Sequence, residues 1–163
     1  DHDLVIIDTG AGISRSVVDL CHAAGEVLVV TTPEPTAIVD AYAMLKVFSC
    51  EVRIPNCWLT VNQAQSRGEA QQVTSRIKSL AKKFLSMDLQ DGGAVLYDPR
   101  VSASVRKRQH FTMAYPTSPA ARSIRELSDG LGMKQPRPVD RGFLHRLKEV
   151  FVGDLGRGRE RSP

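Results

Sequence analysis

Short apolar runs alternate along this chain with longer segments in which apolar residues recur every three or four positions. The runs that are typical of strands lie at residues 4–7, 26–31, 57–62 and 94–97. Residues 4–7 form a continuous apolar run, which ends at a turn containing Gly10 and Gly12. This pattern predicts a first strand that is buried on both faces.

The segments between these runs predict helices over about residues 14–24, 36–48, 68–85, 98–108 and 118–132. Ser14 is expected to cap the first helix with its hydroxyl, and Ser118 is expected to open the last one. The second helix carries an apolar face formed by Ile38, Tyr42 and Leu45. The third is predicted to turn inward the side chains of Val73, Ile77, Leu80, Ala81 and Phe84.

Strands that are separated by helices cannot pair as hairpins, because a hairpin joins its strands through a short turn. Each helix is instead expected to form a right-handed crossover between neighbouring parallel strands. The fold class is therefore predicted to be α/β, with a parallel sheet flanked by helices.

Composition and cysteine content limit the setting of this protein. The 163 residues are 42% hydrophobic and 25% charged, which is typical of a globular domain. The apolar runs are much shorter than the roughly 20 residues that a membrane-spanning helix needs. Cys21, Cys50 and Cys57 form no Cys-x-x-Cys pair, so we expect a reducing cytoplasm and buried, unpaired thiols.

The chain is predicted to divide into four parts. Residues 1–131 form the α/β domain, and residues 132–140 form a linker stiffened by Pro136 and Pro138. An amphipathic helix follows at 141–151, and residues 152–163 form a basic tail that is expected to be disordered. The net charge of +4 lies entirely in residues 132–163, which hold 8 Lys and Arg against 4 Asp and Glu. We therefore expect a polyanionic partner at this end of the chain rather than on the domain.

The segment 141–151 has the pattern of a helix that lies in the plane of a membrane. Its apolar stripe consists of Phe143, Leu144, Leu147, Val150 and Phe151, and its flanking bases are Arg141, Arg146 and Lys148. Bulky apolar residues on one side of a helix and bases on the other suit an anionic membrane surface. The alternative is a final helix that packs back on the domain.

Candidate chemistry lies just after the predicted strands, because ligands of parallel α/β sheets bind beyond the carboxyl ends of the strands. Asp8 directly follows the first apolar run, where nucleotide-binding sheets place a carboxylate associated with magnesium. Gly10 and Gly12 allow backbone N–H groups to approach a phosphate closely. The alternative is that Asp8 only caps the helix that begins near Ser14.

Three segments carry a resemblance to a known family. Their sequences are DLVIIDTGAGI at residues 3–13, VVTTPEPTAIVDAYAMLK at 29–46 and VN at 61–62. In order and spacing they resemble the MinD/ParA deviant-Walker ATPases, and the middle segment is most similar to that of FlhG-type regulators of flagellar number. The resemblance covers about residues 1–131. The amphipathic end of the chain is also similar to the membrane-targeting helix of MinD and FlhG proteins.

The resemblance implies roles for individual residues. Asp8 would hold Mg²⁺ through water, and Gly10 and Gly12 would form the switch backbone near the γ-phosphate of ATP. Asn62, Asp98 and Pro99 would lie on the adenine side. Glu34 would face the second subunit of an ATP-bound dimer, and Asp40 would lie on a helix offered to partners.

The family's phosphate-binding loop requires a Gly-Lys dipeptide, and this sequence contains none. The chain therefore resembles the C-terminal portion of such an ATPase, and by itself it is expected neither to bind ATP tightly nor to hydrolyse it. In the complete protein, the resemblance implies ATP and Mg²⁺ as cofactors and a homodimer formed with ATP. It also implies peripheral attachment to the inner face of the cell membrane, and a FlhF-like GTPase or flagellar basal-body proteins as partners.

Two other functions remain open from the sequence. The chain could be a non-catalytic module that uses the helix at 36–48 for a protein partner and residues 141–151 for the membrane. It could also be a ParA-type ATPase that partitions DNA. The domain, residues 1–131, has no net charge, so a nucleic-acid partner is not expected.

Overall fold

The computed structural model describes residues 4–51, 56–132, 142 and 145–148. The strands are β1 (Glu26–Thr31), β2 (Asn56–Ala64) and β3 (Gln90–Leu96). The helices are α1 (Arg15–Ala23), α2 (Pro35–Glu51), α3 (Arg67–Leu85), α4 (Pro99–Arg106), α5 (Phe111–Ala114) and α6 (Pro119–Gly130). Within these described ranges, no helix is both long and apolar enough to cross a membrane.

The sheet has three parallel strands in the order β1-β2-β3. In its register Val29 of β1 faces Leu59 of β2, and Val61 of β2 faces Ala94 of β3. Helix α2 connects β1 to β2, and α3 connects β2 to β3. The predicted α/β class, with helical crossovers between parallel strands, is confirmed.

The main core lies between one face of the sheet and the helices α2 and α3. Its most deeply buried side chains come from all of these elements: Leu45, Phe48, Leu59, Val61, Ile77 and Ala81. The opposite face of the sheet is partly covered by α6, which packs closely against β3. On that face Val30 is 55% exposed, so α6 leaves this face uncovered at β1.

Gly92 allows β3 to lie close to β2. A Cβ atom at this position would lie 2.3 Å from Thr60 Oγ1 and 3.1 Å from the carbonyl oxygen of Leu59. Real Cβ atoms essentially never lie as close as the first distance, and the second is tighter than most Cβ contacts. Only glycine therefore permits this strand spacing without a shift of Thr60 or of the backbone.

Several helices begin with a side chain that accepts a backbone hydrogen bond. Ser66 accepts from Glu69 N at 3.1 Å, and the Glu69 carboxylate accepts from Gln65 N at 2.7 Å, which together satisfy two amides at the start of α3. Ser118 accepts from Ala121 N at 3.1 Å at the start of α6. The expectation that Ser118 opens this helix is confirmed.

The structure corrects the predicted conformation of residues 4–7. They form no strand, and Leu4, Val5 and Ile6 are exposed. A strand requires backbone hydrogen bonds to a neighbour, and within the described residues no strand pairs with this segment. An apolar composition alone was therefore insufficient to predict the strand.

Other predictions about single elements were also wrong. The Ser14 side chain does not cap α1; its hydroxyl lies 3.1 Å from that of Ser16. Phe84 does not point inward but is 61% exposed, whereas the inward positions of Val73 and Ile77 are confirmed. Helix α5 was not predicted, because four residues are too few to show a helical repeat.

Candidate functional site

The carboxyl ends of the three parallel strands lie at one edge of the sheet, and the segments that leave them form the candidate site. Beyond β1 come Thr32, Pro33 and Glu34. Asn62 and Gln63 lie in the last residues of β2, and Asp98 follows β3. The Tyr97 amide donates to the Ala64 carbonyl at 2.8 Å, which ties the segment after β3 to the end of β2. The structure therefore places Asn62 and Asp98 on adjacent strand ends, as the sequence predicted for ligand-binding residues.

Asn62 is positioned by an irregularity in β2. The register with β3 shifts between Asn62 and Ala64, and Gln63 between them has a left-handed φ of 59°. The Asn62 Oδ1 atom accepts a hydrogen bond from Gln63 N at 2.9 Å. A bulge of this kind re-aims a side chain, and such strained residues cluster at functional sites. No local pattern of residues predicts this bulge.

Asp98 is the most buried carboxylate of the site, at 5% exposure. Its Oδ1 atom accepts from Arg100 N at 3.0 Å, which caps α4, and from Arg100 Nε at 2.9 Å. The Arg100 guanidinium in turn lies 5.9 Å from the centre of the Tyr115 ring. The Oδ2 atom is buried and has no hydrogen-bond partner within the described residues. Asp98 therefore has one oxygen committed to α4 and one oxygen without a partner.

The charge of Asp98 is favoured by this environment. The Arg100 side chain is the main cause that lowers the pKa of the Asp98 carboxyl, and burial opposes it. The Ala120 amide at the start of α6 also lowers this pKa, although it makes no hydrogen bond of ordinary geometry to Oδ2. Asp98 is therefore ionised at neutral pH, and an unpartnered anionic oxygen faces the N-terminal end of α6.

Helix α6 is fixed to the end of β3 near this carboxylate. The Leu96 amide donates to Ser123 Oγ at 3.4 Å, and Ser118 and Ser123 are both buried. Arg67 at the start of α3 forms an exposed ion pair with Glu126 of α6, with 2.6 Å between Nη2 and Oε2. Sequence reasoning missed Arg100 and Ser123, because their importance depends on contacts with Asp98 and with β3. Pro99, the first residue of α4, is exposed.

Glu34, which follows β1, and Asp40, which lies on α2, are both exposed. The Glu34 amide donates to Thr32 Oγ1 at 3.4 Å, and the Glu34 carbonyl accepts from Ile38 N at 3.1 Å. These bonds fix the backbone at the start of α2 and leave the Glu34 side chain exposed. Asp40 lies on the exposed side of α2 beside Val39.

Asp8, Gly10 and Gly12 lie in the irregular segment that precedes α1. All three are exposed, and Gly12 has a φ of 107°, which side chains rarely adopt. A Cβ atom at Gly10 or Gly12 would meet nothing within 4 Å. The structure therefore places these residues outside the three-stranded sheet, whereas Asn62 and Asp98 lie at its edge.

Only part of the predicted membrane segment is described. Arg141, Phe143, Leu144, Val150 and Phe151 lie outside the described residues. Residues 145–148 form a helical turn in which Arg146 and Leu147 are half-buried and Lys148 is exposed. The Arg146 Nε atom donates to the Ala23 carbonyl at 3.0 Å, so this turn lies against the end of α1.

Three curated proteins are similar to this chain. Antiactivator FleN of Pseudomonas aeruginosa is 33% identical over 151 residues, which make up 92% of this chain and 54% of FleN. The flagellum site-determining protein YlxH of Helicobacter pylori is 30% identical over 148 residues, which make up 90% of this chain and 48% of YlxH. The septum site-determining protein MinD of Bacillus subtilis is 25% identical over 164 residues, or 93% of this chain and 57% of MinD.

The chain belongs to the MinD/ParA family. The resemblance of the three sequence segments to this family is thereby confirmed, and the parallel α/β sheet is consistent with its fold. No family profile matches the chain. This MinD/ParA chain spans about half the length of the curated relatives it matches.

Proposed function

We propose that this MinD/ParA chain is part of an ATPase that determines the number or placement of flagella. The observation that carries this proposal is the pair of hydrogen-bonding side chains, Asn62 and Asp98, at adjacent strand ends of a chain related to FleN and YlxH. The names of YlxH and MinD describe proteins that determine the site of the flagellum and of the septum, respectively. In the complete protein, ATP binding would drive dimerisation, and the dimer would bind the membrane.

Asn62 and Asp98 fit the hydrogen-bonding groups of adenine. Asp98 Oδ2 is buried in this structure, so it would accept from the exocyclic amino group of the base after a local shift that exposes it. The Asn62 side-chain amide makes no hydrogen bond through Nδ2 within the described residues, so it can donate to a ring nitrogen. One buried acceptor and one donor on adjacent strands are sufficient to orient a flat base.

Asp8, Gly10 and Gly12 are proposed to act on the phosphate side. Bound Mg²⁺ would neutralise charge on the β- and γ-phosphates, and the Asp8 carboxylate would orient the water that holds it. The backbone N–H groups at Gly10 and Gly12 would lie close to the γ-phosphate. Gly12 has a φ of 107°, which residues with a side chain rarely adopt, and the lack of a side chain would also let its backbone lie close to the phosphate.

The Glu34 side chain is proposed to face the second subunit. Replacing Glu34 by alanine in the full-length protein is expected to weaken ATP-dependent dimerisation about tenfold, because an exposed interfacial carboxylate would be lost. Nucleotide binding by the monomer should be unchanged. Sedimentation with a non-hydrolysable ATP analogue measures the dimer, and a fluorescent ATP analogue measures binding.

The matched control for Glu34→Ala is Asp88→Ala. Asp88 is exposed, and within the described residues it forms an ion pair with Lys82 at the surface. Equal dimerisation of the Glu34 and Asp88 variants would show that Glu34 only shapes the turn before α2.

The exposed side of α2, including Asp40, is proposed to receive a FlhF-like GTPase or basal-body proteins.

Residues 141–151 are proposed to bind anionic lipid. The five apolar residues would insert shallowly, and the three bases would each contribute about 1 kcal/mol near an anionic surface. Membrane binding must break the bond from Arg146 to the Ala23 carbonyl, which costs about 1 kcal/mol. One copy is therefore a weak anchor, and the two copies of a dimer bind together more strongly.

Phe143→Glu and Phe151→Glu are each expected to abolish co-sedimentation of the full-length protein with phosphatidylglycerol vesicles in the presence of ATP. Binding by the unsubstituted protein should decrease with salt and should be weak on phosphatidylcholine vesicles. Phe84→Glu is the control, since Phe84 is an exposed aromatic residue on α3. If both C-terminal variants bind as well as this control, the segment packs on the domain and is not the anchor.

A further inference from the structure

Basic residues are concentrated in the part of the chain that follows the candidate site. Residues 99–125, which form α4, α5 and the first half of α6, contain no Asp or Glu. Their basic residues are Arg100, Arg106, Lys107, Arg108, Arg122 and Arg125. Residues 1–131 as a whole have no net charge, because acidic residues elsewhere in the domain balance these bases.

Four of these bases, Arg106, Lys107, Arg108 and Arg122, form no side-chain ion pair or hydrogen bond within the described residues, and the first three are consecutive. Arg100 pairs with Asp98, and the Arg125 guanidinium donates to the Pro116 carbonyl. Arg106, Lys107 and Arg108 are exposed, and in the described part of the chain their side chains form no ion pair or hydrogen bond. Consecutive, unpaired cations repel one another unless an anion lies between them. Their placement therefore suits an anionic partner.

An ordered turn holds these cations in place. The Lys107 amide donates to the Ala103 carbonyl at 3.3 Å, and the Arg108 amide donates to the Val105 carbonyl at 3.0 Å. Arg108 has a left-handed φ of 52°, which reverses the chain so that α5 packs against α4. The three cations therefore form part of a folded surface.

Two large apolar residues close to these cations in the chain have strongly exposed side chains. Val105, the residue before Arg106, is 69% exposed, and Met113 of α5 is 79% exposed. We name this surface the α4–α5 patch and define it by Val105, Arg106, Lys107, Arg108 and Met113. It combines unpaired positive charge with uncovered aliphatic surface.

A bilayer interface accommodates both properties at once. Anionic headgroups attract the cations, while the acyl boundary receives the aliphatic side chains. A nucleic acid would also attract the cations through its phosphates, but it offers no apolar layer that would receive the aliphatic side chains of Val105 and Met113. The observations therefore favour lipid over nucleic acid.

We propose that the α4–α5 patch binds the surface of an anionic membrane as a second contact, distinct from residues 141–151. This inference rests on the proposed function, in which the full-length protein associates with the membrane. The patch lies on the folded domain, so it would orient that domain on the bilayer as well as increase its affinity. Two contacts on one chain act together through a high effective concentration.

The test uses the full-length protein and phosphatidylglycerol vesicles. Each neutralised base is expected to lower vesicle binding about fivefold, so Arg106→Gln with Lys107→Gln should lower it about 25-fold. The matched control is Arg76→Gln with Lys83→Gln, which removes the same charge from exposed positions of α3. Equal losses in the two double variants would overturn the proposal, because only net charge would then matter.

A second comparison tests the apolar part of the patch. Met113→Gln is expected to lower vesicle binding by about threefold to tenfold, whereas Phe84→Gln on α3 should have no effect. Both substituted residues are exposed, so thermal unfolding should be unchanged. If Met113→Gln has no effect, and the double base variant loses binding to duplex DNA instead, the patch is a nucleic-acid surface and the proposal is wrong.

The two proposals about the membrane fail in different ways. Loss of binding in Phe143→Glu, with no difference between the patch variants and their controls, overturns the α4–α5 patch alone. Loss of binding in the patch variants, with normal binding by Phe143→Glu, overturns the role of residues 141–151 alone. No binding by the unsubstituted protein with ATP overturns both.

Discussion

Replacing Asp8 by alanine in the full-length protein is expected to lower ATP turnover about 100-fold or more. The carboxylate is proposed to orient the water that holds Mg²⁺, and misplacing charge stabilisation at a phosphoryl group costs a factor of this size. Asp8→Asn should lose as much, because it keeps the shape of the side chain but lacks the negative charge. Nucleotide affinity should change by only a few-fold, since most of the binding surface is unaltered.

Steady-state phosphate release at saturating Mg–ATP measures this effect, and Asp88→Ala is the control. Asp88 is an exposed aspartate whose partner, Lys82, is also exposed. Turnover of the Asp8 variants within a few-fold of the control would rule out a role for Asp8 in hydrolysis. Absence of turnover in the unsubstituted protein would favour the alternative in which this chain belongs to a non-catalytic interaction module.

Replacing Asp98 by alanine is expected to lower the free energy of unfolding of the full-length protein by about 2–4 kcal/mol. This change removes the cap of α4 and leaves the Arg100 side chain without its carboxylate partner. Asp98→Asn should cost about 1 kcal/mol, because an amide oxygen can still accept from Arg100 N. Chemical denaturation measures both values, and the exposed pair at Asp88 should contribute less than about 1 kcal/mol.

The contribution of Asp98 to stability should depend on pH. Its folded-state pKa lies below the ordinary value of 3.8, so the folded protein favours the ionised form. The stabilisation is therefore fully present above that value and is lost as pH falls through the lowered pKa. Asp98→Asn should abolish this part of the acid sensitivity. If the variant and the unsubstituted protein lose stability in parallel below pH 4, the Asp98 charge does not stabilise the fold.

Measuring both stability and nucleotide affinity of the Asp98→Asn variant separates the two roles assigned to Asp98. One oxygen caps α4, and the other is proposed to accept from adenine. Asp98→Asn keeps the cap but can present an amide N–H in place of the second acceptor. A large loss of nucleotide affinity with a small loss of stability would support the proposed contact. A loss of stability alone would restrict Asp98 to its structural role.

The α/β class followed from the sequence because it depends on local patterns. Apolar runs at 26–31 and 57–62, separated by a helical segment, permit only a crossover between parallel strands. Because parallel strands end at the same edge of a sheet, the positions of Asn62 and Asp98 in the chain were sufficient to place them together. The capping role of Ser118 was also local, since the accepting hydroxyl and the donating amide are three residues apart.

Sequence patterns failed where a residue's state depends on distant neighbours. Residues 4–7 have the composition of a buried strand, but a strand forms only where another strand supplies its hydrogen bonds. Phe84 has the spacing of a core residue, yet it lies in the last turn of α3 and its ring is exposed. Apolar periodicity gives the face of a helix and does not give the extent of the surface that covers it.

The chemistry of the site also depends partly on local sequence and partly on tertiary contacts. The sequence by itself determined which residue types follow each strand, and through the family resemblance it indicated a nucleotide. Only the tertiary structure decided that Gln63 bulges to re-aim Asn62, and that Arg100 takes one Asp98 oxygen while the other remains buried without a partner. Hydrogen-bond partners and burial arise from groups brought together by the sheet and by α6, so no local spacing encodes them.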